Sequence, residues 1–203
     1  MWQNHRGLLS AEMSNQIQKK NVEIFAILVA LGASIQIAES VIPRPLPWLR
    51  LGLANVITLI ALYRYGWRMA IRVSMLRTVI GSLFLGTSGS PAFFLSFGGA
   101  TISCIAMGII PRGRSRNPAR FGLTGVSVTG AVTHNLVQLA LAWVLFIKHG
   151  GILWLAPVLM VTGVITGVIT AQIAGYVLDG LFNRLAVPNG QDNSQPVSPG
   201  MPH

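Results

Sequence analysis

Read from the N-terminus, the chain alternates long apolar runs with short polar breaks. After 21 largely polar residues, apolar runs fall near 22–41, 50–64, 67–87, 91–110, 124–147 and 155–183. A helix needs about 20 mostly apolar residues, within a range of roughly 17 to 25, to cross the core of a bilayer. The second run is short for that task, and the last is long enough to tilt or project. Between the runs stand "PRPLPW", whose prolines cannot continue a helix, then "YG", "TSGSP", "PRGRSRNPARFG" and "KHGG". The pattern predicts an all-α integral membrane protein, a bundle of six transmembrane helices. It divides the chain into a polar cytoplasmic N-terminal segment at 1–21, a six-helix membrane domain at 22–187 and a disordered C-terminal tail at 188–203. That tail, "PNGQDNSQPVSPGMPH", has little apolar surface to bury.

Composition strengthens the membrane reading. Of 203 residues, 52% are hydrophobic and only 10% charged, with a mean hydropathy of +0.59; a soluble domain usually carries about 25% charged residues. A net charge of +10 points to nucleic acid only when the cations gather on one solvated face. Here they sit between apolar runs, so no nucleic-acid partner is expected. Cys104, the single cysteine, excludes an internal disulfide and a cysteine-based zinc cluster and is expected to be a small core residue. No cleavage site follows the first apolar run, and no signal peptide is expected.

Cytoplasmic loops are enriched in Lys and Arg, which orients the bundle. With the N-terminus inside, Arg6, Lys19, Lys20, Arg64, Arg68, Arg112, Arg114, Arg116, Arg120 and Arg184 are cytoplasmic, and Arg44, Arg50 and Lys148 are outside. The expected location is the inner (cytoplasmic) membrane, crossed several times, with both termini in the cytoplasm. The 112–120 cluster reads first as a topology signal, with contact to anionic lipid as the alternative.

Polar residues inside the spans carry the candidate chemistry. At about 100° per residue, the first span has a stripe of small residues, Ala26, Ala30 and Ser34, opposite Gly32, Gln36 and Glu39. Small residues at this spacing let helices approach closely, either inside the chain or against another membrane subunit. In the third span Arg68 and Arg72 lie near the cytoplasmic end, where long side chains reach the headgroups. Arg77 points the other way near mid-depth. A buried arginine costs at least ~2.5 to 3.5 kcal/mol by insertion scales, so it calls for a partner, either Glu39 or an anionic substrate group. In the fifth span His134, Asn135 and Gln138 share one side, while Val132, Leu136, Leu139 and Trp143 form an apolar face free to meet lipid. One polar residue would suggest a single cross-helix hydrogen bond. A cluster that adds Asn55 and Thr58 of span two, Arg77 and the Gln36–Glu39 face suggests a pocket. The Thr162, Thr166, Thr170 and Gly163, Gly167, Ala171, Gly175 stripes of the last span read as packing. "GSLFLGTSGSP" lacks the ending of a nucleotide loop and reads as a flexible outer loop. No metal site is expected, because no histidine pair has ligand spacing.

The blocks "LRLGLANVITLIALYRYGWRMA", "LRTVIGSLFLGTSGSPAFFLSFGGATIS" and "GVSVTGAVTHNLVQL" resemble the Gx transporter family, also labelled heptaprenyl diphosphate synthase component I. That family is similar to the S components of energy-coupling-factor transporters. The resemblance implies an S-component-like bundle with its ligand held near the outer surface. It also implies that the first-helix stripe Ala26, Ala30 and Ser34 docks onto a transmembrane coupling subunit served by ATPases. The expected function is capture of a small anionic ligand, with no enzyme activity and no cofactor. The expected binding set is Gln36, Glu39, Arg50, Asn55, Arg77, His134, Asn135 and Gln138. Arg50 and Arg77 would attract the anion, Asn55, Asn135 and Gln138 would orient it, and His134, with an ordinary pKa of about 6.5, would make binding sensitive to pH. The alternative is a noncatalytic membrane subunit associated with polyprenyl diphosphate synthesis or a redox complex. Prenyl transfer itself needs Mg²⁺ on clustered carboxylates, and Glu12, Glu23, Glu39, Asp179 and Asp192 are all apart.

Overall fold

A computed structural model describes residues 2–41, 52–110 and 120–186. The described residues form α1 (Trp2–Val41), α2 (Ala54–Tyr65), α3 (Trp67–Phe84), α4 (Pro91–Ile109), α5 (Arg120–Ala142) and α6 (Ala156–Ala186), with a π turn at Trp143–Ile147 and a 3-10 segment at Gly150–Leu155. Each of the six apolar runs of the sequence holds a helix among the described residues. The expected tail at 188–203 and most of the basic 112–120 loop lie outside the described residues.

Four stretches are long and apolar enough to cross a membrane: Glu12–Val41, Pro91–Ile109, Gly122–Ile147 and Gly150–Gly180. Among the described residues, length and composition alone thus mark four of the six expected crossings. Twelve-residue α2 is about 18 Å long at 1.5 Å per residue, against a hydrocarbon core of about 30 Å. It is instead buried in the bundle, with Thr58, Leu59, Ala61 and Leu62 almost wholly enclosed. In α3 the three arginines lower the hydropathy. On α6, by contrast, Val158, Val161, Ile165 and Ile169 are exposed at helical spacing, an apolar outer surface suited to lipid.

The polar N-terminal segment is helical from Trp2 onward and continuous with the first apolar run. The expected flexible loop between α3 and α4 is an ordered turn. Thr87 N–H donates to Ser82 O at 2.9 Å and Ser90 N–H to Thr87 O at 3.0 Å. Ser90 then caps α4, its hydroxyl accepting from Phe93 N–H at 3.3 Å, with Pro91 opening the helix, where its missing N–H costs nothing.

Glycine notches set how the helices lie together. A Cβ on Gly32 would stand 2.8 Å from Arg77 Cδ, and one on Gly81 would stand 2.6 Å from Gln36 Nε2. The same sequence offset separates both pairs, so α1 and α3 run parallel. Between α5 and α6, a Cβ on Gly167 would come within 2.6 Å of the Val128 Cα, and one on Gly163 within 3.0 Å of the Val132 Cα. The small residues of α6 thus bring two backbones together. This corrects the expectation that the Val132, Leu136, Leu139, Trp143 face meets lipid. Val132 packs on α6 and Leu139 is buried, leaving Trp143 as the exposed member. Val is as compatible with a notched helix as with lipid tails, which is why the sequence pattern misassigned this face.

Candidate functional site

Arg77 anchors the site. Its side chain crosses the Gly32 notch and is buried, 6% exposed, with Nη1 donating to Gln36 Oε1 at 3.2 Å. Gln36 in turn lies in the Gly81 notch. The two parallel helices therefore hold a cation and an amide against each other, each occupying space that a methyl group on the other helix would take. Glu39, one turn beyond Gln36, is also buried and accepts a hydrogen bond from the Leu53 N–H at the entrance to α2. That contact ties the end of α1 to the start of α2, where Asn55 sits half-buried.

From the other side, α4 and α5 close the space. Gly99 leaves room for His134 and Gln138, whose atoms stand 3.1 Å from where its Cβ would be. Asn135 Nδ2 donates to Leu159 O of α6 at 2.9 Å, and Ser127 Oγ donates to Gly167 O at 2.7 Å. Such bonds cross-link helices where there is no water to compete, at about 0.6 kcal/mol each on average.

These side chains surround one hollow. Gln36 and Glu39, Asn55, Arg77, and His134 and Asn135 all line it, joined by Thr78, Ser96, Thr166 and Thr170, so every helix contributes a polar group. All of these residues lie toward the end of the bundle that bears the α1–α2, α3–α4 and α5–α6 connections. Gln138 is buried beside Gly99 rather than on the lining, and Arg50 lies outside the described residues. The hollow offers about 40 Å³ to the centres of water molecules, room for roughly three waters at 10–15 Å³ each. Two amide nitrogens of the cluster, Gln36 Nε2 and Gln138 Nε2, have no acceptor among the described residues, although both residues are almost fully enclosed. A buried amide without a partner costs about 1–3 kcal/mol, which a guest or ordered water would relieve.

Four polar members of the wall, Thr78, Ser96, Thr166 and Thr170, stand outside the set expected from the sequence. Thr166 and Thr170 were assigned to packing because threonine at four-residue spacing is common in helix contacts. Thr78 and Ser96 stood alone in apolar surroundings and gave no pattern. The useful signal was Gly99 in "FGGATIS", a gap opposite the His134 and Gln138 pair. Among the described residues no group of three His, Cys, Asp or Glu side chains gathers to hold a metal. On α1 the stripe Ala26, Ala30 and Ser34 is exposed and is not covered by the other described residues. Cys104 is buried in the core.

Neither a curated protein nor a solved structure matches the chain. The model of a family described as heptaprenyl diphosphate synthase component I matches residues 28–177, which takes in every residue that lines the hollow. The chain belongs to the heptaprenyl diphosphate synthase component I family.

Proposed function

We propose that this protein is a noncatalytic membrane component that captures a small anionic ligand in the hollow between its helices, in the manner of an S component of an energy-coupling-factor transporter. The observation that carries the reading is the convergence of a buried arginine with amide, imidazole and hydroxyl groups from all six helices on one space. Arg77 supplies the charge, while Asn55, Asn135 and the neighbouring threonines supply orienting hydrogen bonds. Arg50 joins the set on its sequence position near the same end. Because the hollow is narrow, a ligand larger than a few waters enters only as wall side chains move apart.

The parallel run of α1 and α3 supports six crossings, since the chain between them must return across the bundle through α2. The distribution of Lys and Arg supports cytoplasmic termini, which turns the hollow toward the outside. The exposed Ala26, Ala30 and Ser34 stripe is then the surface for a transmembrane coupling subunit, and energy comes from that subunit's ATPases.

The family description favours a second reading, a membrane partner of a soluble polyprenyl diphosphate synthase subunit. Copurification in mild detergent separates the two. Recovery of a membrane subunit with ATPases, lost in an Ala30→Leu variant that still folds, is the result expected for transport. Recovery of a soluble prenyl synthase in their place would replace the transport reading with the second one.

A further inference from the structure

The opposite end of the bundle holds a different recess. Val22 and Phe25 of α1, Tyr65 at the end of α2, and Arg68, Met69 and Arg72 of α3 line a groove of about 440 Å³. Its depth follows from the helices. From Val41 back to Val22, α1 covers about 28 Å at 1.5 Å per residue, close to the thickness of a hydrocarbon core. The groove therefore opens at the membrane–water boundary. Tyr65 and Trp67, 41% and 50% exposed, stand beside it in the place where aromatic residues mark such boundaries.

Its chemistry is two-sided. Arg68 and Arg72 are exposed on successive turns, and Arg72 Nε donates to Arg68 O at 3.0 Å, which lays the Arg72 stem along the helix. A guanidinium presents a planar fork that matches phosphate oxygens. At the same point α3 begins at Trp67 with no side-chain cap, so its first N–H groups and the positive end of its dipole add to the field. Val22, Phe25 and Met69 offer an apolar floor beneath the cations. Glu23 belongs to a neighbouring recess with Lys19 and does not line this one. Arginines that merely snorkel need no cavity; here the cations stand over a groove that an alkyl chain fits.

We infer that the groove is a site for one anionic glycerophospholipid. Arg68, Arg72 and the first amides of α3 hold the phosphate, and an acyl chain lies on Val22, Phe25 and Met69. A free phosphate would leave the apolar floor unfilled, and this selects the lipid. Basic recesses between transmembrane helices recognise anionic headgroups in this way.

The test uses the full chain in nanodiscs of phosphatidylglycerol and phosphatidylcholine in fixed ratio, with native mass spectrometry of lipids retained after partial delipidation. The wild-type protein is expected to hold phosphatidylglycerol enriched about tenfold over the bulk ratio, as two cationic side chains near an anionic surface allow. Arg68→Gln with Arg72→Gln is expected to bring retention back to the bulk ratio, while Lys148→Gln leaves the enrichment intact. Absence of enrichment in the wild type overturns the site without recourse to any variant. Equal enrichment in the double variant overturns the assignment to these arginines, and equally effective competition by chain-free glycerol phosphate overturns the choice of a lipid.

Discussion

The two polar recesses, at opposite ends of the same pair of parallel helices, are built on different principles. At the connection end, Arg77 is enclosed, crosses a glycine notch and is bonded to Gln36, and the space it borders is about 40 Å³. At the basic end, Arg68 and Arg72 are exposed over a groove of about 440 Å³. The first arginine is positioned by backbone register, so its environment is fixed before any guest arrives. The other two are positioned by their own stems and by the boundary of the bilayer. Preorganised, desolvated groups carry large, nearly all-or-none effects, whereas exposed charges act additively and are screened by salt. The same residue type in one helix is thus expected to behave in two ways.

The largest contrast should come from removing the enclosed charge. Arg77→Met is expected to weaken binding of the retained ligand at least ~100-fold, about 2.7 kcal/mol, measured by titration of purified protein, with no more than a slight dependence on salt. A comparable loss from Arg72→Gln would erase the distinction between the two ends. Next in size is the α5–α6 seam that forms one wall of the hollow. Gly167→Ala, whose Cβ would meet backbone at 2.6 Å, is expected to destabilise by roughly 1–3 kcal/mol in a thermal scan in detergent. Gly175→Ala, facing Leu123 Cδ2 at 3.5 Å, should leave the midpoint unchanged.

A finer probe is Gly81→Ala. Its methyl group would meet the far end of the flexible Gln36 side chain, so Gln36 shifts while the fold is kept. The expected result is about a tenfold loss of affinity, near 1.4 kcal/mol, with little change in stability, read by titration and thermal scan on the same sample. The smallest effect should be that of Asn135→Ala on stability. Loss of its bond to Leu159 O is expected to cost about 0.6 kcal/mol, visible only by comparison with wild type in parallel scans.

Much of this architecture was legible in the sequence because lipid imposes a simple pattern. The apolar runs located the helices among the described residues, and "YG", "TSGSP" and "KHGG" located breaks between them. The inward face of α1 was legible too, since Gln36 and Glu39 repeat at helical spacing opposite Ala26, Ala30 and Ser34. Legibility failed where one residue type serves two environments. Val132 and Leu139 suit lipid or the bundle interior equally, and in the fold Val132 faces α6 while Leu139 is buried in an apolar cluster with Leu95 and Leu159. Thr166 bonds to its own helix at Gly163 O and still lines the hollow, as Thr170 does. Helix length also escaped the pattern, because polar residues at the start of α1 continue a helix once it projects beyond the membrane, and because the buried α2 need not match bilayer thickness. The basic groove was only half visible. Arg68 and Arg72 could be placed at the boundary, but the recess beneath them comes from α1 running beside α3.

The claim on which the rest depends is that the hollow around Arg77 receives a guest. Wild-type and Arg77→Met proteins purified in parallel, with their retained small molecules identified and counted by mass spectrometry, test it most directly. One small anionic compound is expected, retained at near one per chain by the wild type and lost from a variant of unchanged thermal stability. A wild-type protein that retains no such compound, or a variant that retains it equally, would contradict the account.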